Sequence, residues 1–165
     1  MSGFPGYRAG MSPARRATPD DAAEVLRLRQ VMIDSMARSD PSTAWHAESL
    51  PVLRERLAKD GSFAAFVVDH PERPGALAAL VAGTVEYRIG GAHDPHGTDG
   101  YVFSVATDPD ARRRGYARAC MGALLEWFRE RGARRVRLTA SPEAEPLYRS
   151  LGFTPKPDPL LELRL

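Results

Sequence analysis

The sequence is poor in cysteine, and Cys120 is the only one among its 165 residues. A single cysteine excludes an internal disulfide and any metal cluster held by several thiolates. Long apolar runs are also missing, since none approaches the roughly 20 residues that span a bilayer. Residues 1–11 lack the apolar segment of a signal peptide. We therefore expect a cytoplasmic protein without a membrane partner.

Two common nucleotide-binding motifs are absent as well. The chain has no G-x-x-x-x-G-K-[ST] segment, which excludes a P-loop NTPase, and no G-x-G-x-x-G segment, which excludes the dinucleotide fingerprint. His93 and His96 form a pair among turn-forming residues, but no third or fourth ligand follows at a useful spacing. We expect no metal site.

The composition is that of one globular domain, with 43% hydrophobic and 27% charged residues. The net charge of +2 hides an uneven distribution. Residues 112–137 contain nine arginines and two glutamates, a local charge of +7, so the rest of the chain carries −5. Such a basic segment indicates either a polyanionic partner, such as a phosphate-bearing coenzyme or nucleic acid, or a solvated helix face.

Hydrophobic periodicity and turn-forming residues divide the chain into strands and helices. Residues 1–11 are predicted to be a flexible tail and residues 12–165 one domain. Strands are expected at Ser12–Ala17, Phe63–Asp69, Leu77–Arg88, Tyr101–Thr107, Arg135–Ala140 and Leu160–Leu165, with a loop at Gly90–Gly100. Helices are expected from Thr18 to Met36, from Trp45 to Lys59, between Arg114 and Gly132, and from Glu143 to Ser150. This order predicts an α/β or α+β fold with a mixed sheet covered on both faces, and parallel strands on either side of the third helix.

The most informative segment joins the strand Tyr101–Thr107 to the long helix. Backbone N–H groups at the start of a helix have no partner within it, and the helix dipole adds positive charge there. Gly115 and Ala117 keep bulky side chains away, while Arg112–Arg114 supply fixed positive charge. The combination favours a pyrophosphate site at this turn, although the pattern alone also fits an ordinary strand-to-helix turn.

Two separated motifs resemble the signature of the GNAT superfamily of N-acetyltransferases. The first, a strand ending in V/L-x-V-x-P followed by R/Q-x-x-G-x-G/A and a helix, is matched by Val105, Thr107, Pro109, Arg112, Gly115 and Ala117. The second, N-x-x-A-x-x-L-Y-x-x-x-G-F, is matched by Ala144, Leu147, Tyr148, Gly152 and Phe153. Only Ser141, in place of the asparagine, departs from it. The resemblance is specific between Tyr101 and Phe153.

The resemblance implies a fold and a co-substrate. It implies a single-domain α/β (α+β) fold whose mixed, mostly antiparallel sheet has a V-shaped splay between the fourth and fifth strands and helices on both faces. The acyl donor is expected to be acetyl-CoA, whose pantetheine arm binds the open strand as an added strand would. The residues expected to bind the coenzyme are Val105, Ala106, Thr107, Arg112, Arg113, Arg114, Gly115, Tyr116, Ala117, Arg118, Ser141 and Tyr148.

Catalytic residues follow from the same resemblance. Tyr148 is similar to the family's general acid, a phenol that protonates the departing thiolate. The acceptor amine needs a base, and Glu86 is the first candidate because its strand is expected beside the fourth; Asp99, Tyr101 and Ser104 are the alternatives. From the local pattern alone, Glu86 fits an exposed strand carboxylate better than a base, whereas Tyr148 fits a packing residue and a general acid equally well.

These features predict an acyl-CoA-dependent N-acyltransferase that passes acetyl directly to a primary amine through a tetrahedral intermediate. The acceptor is expected to be a small molecule or a peptide, and its identity stays open because one fold serves many substrates. Direct transfer needs no acyl-cysteine, so Cys120, on the apolar face of the long helix, is expected in the core.

Two further interpretations stay open at this stage, one of function and one of assembly, and a third is not expected. One alternative is a catalytically silent acyl-CoA-binding sensor module. A nucleic-acid partner is not expected, because no helix-turn-helix, zinc finger or stacking aromatic pattern accompanies the arginines. Dimers are common in the family, so a homodimer is one expected state.

Overall fold

The computed structural model of the chain describes residues 12–36 and 40–165, and the tail predicted at residues 1–11 lies outside them. The strands are β1 (Ala14–Arg16), β2 (Phe63–Asp69), β3 (Leu77–Tyr87), β4 (Thr98–Thr107) and β5 (Arg135–Leu138). The helices are α1 (Ala22–Asp34), α2 (His46–Ala58), α3 (Tyr116–Glu130) and α4 (Glu145–Ser150). Short 3₁₀ turns at Pro19–Asp21 and Pro109–Ala111 precede α1 and follow β4.

The strands form one sheet in the order β1-β2-β3-β4-β5. Neighbouring strands are antiparallel, except that β4 and β5 are parallel and are joined through α3. Antiparallel neighbours need only short connections, whereas a parallel pair requires a long crossover, usually a helix. The predicted mixed, mostly antiparallel sheet with a parallel pair around the third helix is therefore confirmed.

Helices cover both faces of this sheet. On one face, α1 and α2 bury an apolar cluster that includes Val25, Leu28 and Leu57. On the other face, α3 and α4 bury a second cluster that includes Leu124 and Tyr148. The central strands contribute to both clusters because their successive side chains point to opposite faces. Among the helices within the described residues, none has the length and apolar character that crossing a bilayer requires.

The entry to α1 follows the signals in its sequence. The carboxylate of Asp21 accepts a hydrogen bond from the Thr18 N–H at 2.8 Å, which satisfies a donor at the start of the helix. Arg15 of β1 also donates to both oxygens of Asp21, at 2.8 and 2.9 Å. The hydrogen bonds from Arg15 hold the pKa of Asp21 below its usual range. The acidic first turn thereby fixes α1 to the edge of the sheet.

One predicted strand boundary is wrong, and one predicted strand does not form. The strand β4 begins at Thr98, inside the predicted loop Gly90–Gly100, because β3 pairs with it from Tyr87 onward. The closing strand predicted at Leu160–Leu165 does not form, and that segment has no regular structure. A strand needs a partner for its backbone groups, and these residues pair with no strand in the described part of the chain.

Phe128 sets the distance between α3 and the sheet. Its ring is 1% exposed and lies over two glycines on neighbouring strands, Gly83 and Gly100. A Cβ at Gly100 would lie 2.8 Å from Phe128 Cγ, and a Cβ at Gly83 would lie 2.7 Å from Phe128 Cζ. Both distances are too short for real contacts, so glycine is required here for close approach rather than for backbone freedom.

Gly100→Ala is expected to lower the free energy of unfolding by about 1–3 kcal/mol, because the added methyl group forces Phe128 out of its site. Gly122→Ala is the matched control, since no atom lies within 4 Å of a Cβ at that exposed position in α3. That control should raise stability by roughly 0.5–1 kcal/mol, because alanine is the better helix former. Urea unfolding followed by circular dichroism measures both changes, and equal stability of Gly100→Ala and wild type would contradict this packing.

Candidate active site

The strand β4 is paired on both sides along only part of its length. On its β3 side, the pairing runs from Thr98 to Thr107. On its β5 side, the pairs are limited to Asp99–Val102 with Arg135–Leu138. From Phe103 to Thr107 the backbone of β4 is therefore open toward β5. This opening is the V-shaped splay that the sequence resemblance implies.

A bulge in β4 coincides with the start of the opening. The pairing with β3 shifts between Leu80 and Ala82, and Ser104 has a φ of 55°, in the left-handed region that favours glycine. Arg29 of α1 donates a 2.6 Å hydrogen bond to the Ser104 hydroxyl. Since that bond holds the side chain at the bulge, α1 stabilises a backbone conformation that serine alone would avoid.

The turn after β4 is fixed by ion pairs from two other segments, α1 and the β2–β3 turn. The carboxylate of Asp108, 8% exposed, accepts hydrogen bonds from Arg27 of α1 at 2.9 Å and from Arg73 of the β2–β3 turn. Arg73 also donates to Asp110 at 2.9 Å. Arg27 is itself held by Glu24 at 2.6 Å. This network stabilises the start of the turn without using any of the arginines that follow it.

His70 completes the same network. Its Nδ1 accepts a hydrogen bond from the Glu72 N–H at 3.2 Å, which leaves Nε2 to donate to Asp110 at 3.0 Å. The ligand atoms of His70, Asp108 and Asp110 lie within 4.8 Å of one another, a spacing that could hold a metal ion. Because Arg27 and Arg73 already occupy Asp108, a cation would have to displace two guanidinium groups. The cluster is therefore an ion-pair network that supports the turn.

The following residues present a row of unpaired donors. Among the described residues, no N–H group from Arg112 to Arg118 donates a hydrogen bond. Arg113 has a φ of 64° and Gly115 a φ of 78°, so the chain turns twice through the left-handed region before α3 begins. A Cβ at Gly115 would meet no atom within 4 Å, which leaves open space over the helix start. Unpaired N–H groups at a helix N-terminus form an anion-binding site.

The side chains around this row are cationic and exposed. Arg112, Arg113 and Arg114 are all exposed to solvent, and only Arg114 approaches a carboxylate, Glu72, at 3.9 Å. Arg118 donates to the Ser150 hydroxyl at 2.6 Å, which joins the first turn of α3 to the end of α4. Arg112, Arg113 and Arg114 thus have little carboxylate compensation within the described part of the chain, and their binding of a coenzyme stays a prediction.

Tyr148 lies on α4, in the apolar cluster beneath α3. The residue is 5% exposed, and its ring packs edge-on against Phe153 with centroids 6.0 Å apart. Burial raises the pKa of the Tyr148 phenol above its usual value, so the hydroxyl stays protonated at neutral pH. Val105 of the open segment packs against the same apolar cluster. The phenol is therefore a potential proton donor, and the role of Tyr148 as general acid stays a prediction.

Ser141 uses its side chain locally. Its hydroxyl accepts a hydrogen bond from the Ala144 N–H at 3.3 Å, and its carbonyl accepts bonds from Ala144 and Glu145. These contacts form the turn that starts α4. The hydroxyl therefore supports the helix that carries Tyr148, and its predicted contact with the coenzyme remains a prediction.

The candidate bases are not brought together. Glu86 faces Asp99 in the pairing of β3 with β4, six residues from Val105 or about 20 Å along the strand. Among the described residues, Glu86 accepts a hydrogen bond only from Arg88, at 3.3 Å. Asp99 is 1% exposed and ion-paired, whereas the Tyr101 hydroxyl lies 3.3 Å from that of Thr139. The role of Glu86 as base remains a prediction.

Several residues that shape the site carry no signal in the sequence. Arg27 and Arg29 lie in a helix identified by its N-terminal signals and its apolar spacing, neither of which involves these arginines. Arg73 and His70 lie at a turn identified only by composition. Their partners are 35 to 81 positions away along the chain. Pairing over such separations is not visible from spacing in a single sequence.

Comparisons with known proteins agree with this geometry. Residues 31–153 match the acetyltransferase (GNAT) family model. Glucosamine 6-phosphate N-acetyltransferase 1 of Oryza sativa subsp. japonica is 29% identical over 147 residues, which cover 89% of this chain and 86% of that protein. A GCN5-related N-acetyltransferase from Ralstonia eutropha JMP134 is 29% identical, with a TM-score of 0.74 over 91% of this chain and 97% of that one. A predicted acetyltransferase from Clostridium acetobutylicum, solved with acetyl-CoA, shares the fold at 22% identity and a TM-score of 0.74, over 92% of this chain and 94% of that one.

The fold and the open strand define an acyltransferase of the N-acetyltransferase class. The family match covers most of the chain, so the chain belongs to the acetyltransferase (GNAT) family. This confirms the resemblance found in the two sequence motifs. Acetyl-CoA is the co-substrate that this family uses.

Cys120 is expected to be chemically inert in the folded chain. The residue is 0% exposed, and burial raises the pKa of its thiol to about 12, so almost no thiolate forms at pH 8. Ellman's reagent should react at least about 100-fold more slowly with the native protein than with the chain in guanidinium. Ser62→Cys adds an exposed thiol and should react at once, whereas rapid reaction of the native wild type would contradict the buried placement.

Proposed function

We propose that the chain transfers the acetyl group of acetyl-CoA directly to a primary amine of a small molecule or peptide. The observation that supports this most strongly is the uninterrupted row of unpaired N–H groups from Arg112 to Arg118 beside the open half of β4. One co-substrate with a pyrophosphate at one end and an extended amide arm at the other matches both features.

The pyrophosphate of acetyl-CoA fits the turn before α3. Backbone donors and the positive end of the helix dipole favour an anion there. Open space over Gly115 admits phosphate oxygens to the backbone, and Arg112–Arg114 and Arg118 surround it with positive charge. Tyr116 and Ala117 contribute their N–H groups at the first helical positions.

The open half of β4 fits the pantetheine arm. Its amide groups can bond to the backbone of Val105, Ala106 and Thr107 as an added strand would. One N–H of this segment can donate to the thioester carbonyl oxygen and stabilise the negative charge that develops when the amine adds. The bulge at Ser104, whose side chain Arg29 holds, comes directly before this segment.

Tyr148 acts as the general acid in this proposal. Its phenol stays protonated because burial disfavours the phenolate, and it can give a proton to the departing sulfur as the carbon–sulfur bond breaks. The amine loses a proton in the same reaction. Glu86 is the proposed acceptor of that proton, and the distance along the strand requires intervening water.

The acceptor itself is proposed only as a class, a primary amine. Glucosamine 6-phosphate is the substrate that names the rice relative, so it belongs in any panel of test amines together with polyamines, amino acids and peptide N-termini. The comparisons give no support to the alternative of a silent acyl-CoA sensor, and turnover with any amine would exclude it.

Gly115→Glu is expected to weaken acetyl-CoA binding at least about 100-fold, or roughly 2.7 kcal/mol. The new carboxylate would occupy the space over the helix start and repel phosphate. Gly132→Glu is the matched control, because Gly132 has a φ of 81°, also has no atom within 4 Å of a Cβ, and ends the same helix. Isothermal titration calorimetry measures both affinities, and unchanged binding by Gly115→Glu would refute the pyrophosphate site.

Tyr148→Phe is expected to lower kcat by about 10²–10⁴-fold with the best amine of the panel, while the KM for acetyl-CoA changes little. The raised pKa of Tyr148 predicts that kcat holds through neutral pH and falls only when the phenol ionises at strongly alkaline pH. Release of free coenzyme A measures turnover, and Tyr87→Phe, at a 75% exposed position, serves as control. Wild-type kcat in Tyr148→Phe would exclude the acid role.

A further inference from the structure

The partly buried arginines of the described residues have carboxylate partners, with one exception. The arginines that are partly buried and ion-paired are Arg15, Arg16, Arg27, Arg131 and Arg137. Arg29 of α1 is partly buried as well, yet no carboxylate of the described residues forms an ion pair with it. Burial of an unpaired charge is costly. A guanidinium in this environment therefore favours an anion as its partner.

The rest of the chain has no carboxylate to offer to Arg29. All 21 Asp and Glu residues lie in the described parts, because residues 1–11 and 37–39 contain neither type. Within those parts, the Arg29 side chain forms its one hydrogen bond with a neutral group, the Ser104 hydroxyl, at 2.6 Å. A guanidinium has five N–H donors. Most of these donors, and the whole positive charge, are left for a group from outside the chain.

Arg29 lies beside the open half of β4. Ser104 comes directly before Val105, in the part of the strand that has no partner on its β5 side. Val105 packs against the apolar cluster under α3, whereas Ala106 belongs to the cluster under α1 and α2. Since Arg29 reaches Ser104 from α1, its guanidinium lies on the face of β4 opposite to α3.

The coenzyme does not supply the anion in the proposed arrangement. Its pyrophosphate binds at the start of α3, on the other face of the sheet, and the thioester end of its arm is uncharged. The negative charge then belongs to the acceptor. Consecutive Cα atoms are about 3.8 Å apart, so an anion at the Ser104 position and a thioester at the Val105 position lie within reach of one small molecule.

We propose that Arg29 selects acceptors whose primary amine and whose carboxylate or phosphate belong to the same small molecule, as in an amino acid or an amino sugar phosphate. This inference rests on the proposed acetyl transfer and specifies its substrate class. The planar guanidinium can bind either oxyanion through two parallel hydrogen bonds while the amine faces the thioester. Ser104 holds the guanidinium in place beforehand, which lowers the entropic cost of binding.

The test compares pairs of amines that differ in the anionic group, with turnover measured by release of free coenzyme A. The pairs are glucosamine 6-phosphate with glucosamine, and L-alanine with L-alaninamide. In wild type, kcat/KM should be at least about tenfold higher for the anionic member of one pair. Arg29→Gln should lower that ratio at least about tenfold. The intrinsic reactivity of each amine cancels, because the same amines are compared in both enzymes.

Three further variants separate recognition of the acceptor from support of the bulge. Arg29→Lys keeps the charge and should retain most of the preference. Ser104→Ala removes the hydrogen bond but not the charge, so it should change kcat/KM for both members of a pair by the same factor. Arg54→Gln is the matched control, because Arg54 is exposed and has no ion pair within the described part of the chain. It should leave the ratio unchanged.

A second measurement does not depend on turnover. With the donor site saturated by coenzyme A, inorganic phosphate or acetate should raise the melting temperature of wild type more than that of Arg29→Gln. The anion that gives the larger difference between the two proteins identifies the group that Arg29 binds, a phosphate or a carboxylate.

Two results would overturn the proposal and leave acetyl transfer intact. One is turnover of amines with no preference for the anionic member of either pair. The other is an equal loss for both members in Arg29→Gln, which would assign Arg29 to support of the bulge alone. If no amine accepts acetyl, the proposed function fails instead. The difference in melting temperature then decides whether Arg29 binds an anion.

Discussion

The site depends on one constraint, that β4 has a partner on both sides for four residues and on one side for the rest. Two antiparallel strands and their helices already hold β4 from the β3 side, so the strand stays extended after β5 leaves it. The backbone groups of β4 that face β5 beyond Val102 are thereby fixed in position although no neighbouring strand pairs with them. An open strand edge arises inside the folded domain because the pairing of β4 with β5 ends at Val102, whereas β4 itself continues to Thr107.

The charge distribution becomes intelligible once its partners are known. The basic segment from Arg112 to Arg137 divides into two groups. Most arginines at the end of α3 and on β5 contact a carboxylate, as in Arg129 with Glu126 of the same helix, Arg131 with Asp60, and Arg137 with Asp99. Those at the start of α3 have almost none, because the acidic residues beside them are held by Arg27 and Arg73. The start of α3 therefore carries three consecutive exposed arginines with little carboxylate compensation.

The elements that could be predicted from the sequence are those with local causes. The sequence predicts the bounds of the strand Phe63–Asp69 because Gly61 and the turn at His70–Gly75 interrupt the apolar run on either side. It predicts the end of α3 because the amphipathic pattern stops at Gly132. The turn before α3 was recognised from the residue types that it needs. The Arg29–Ser104 bond and the Asp108 network depend on distant pairs, so no local pattern reveals them. Leu160–Leu165 shows the opposite limit, since its sequence predicts a strand but no strand of the described residues pairs with it.

Phe128 has a consequence at the far end of its helix. It lies twelve residues from Tyr116, or about 18 Å along the axis, and a helix of this length moves as a rod. The ring resting on Gly83 and Gly100 fixes the height of one end, while Arg118 and Ser150 anchor the other. The row of donors and the open strand belong to different elements. A molecule that contacts both therefore requires a fixed distance between them. Two glycines outside the open segment thus help to fix the distance between the row of donors and the open strand. A single molecule that binds to both would have to match that distance.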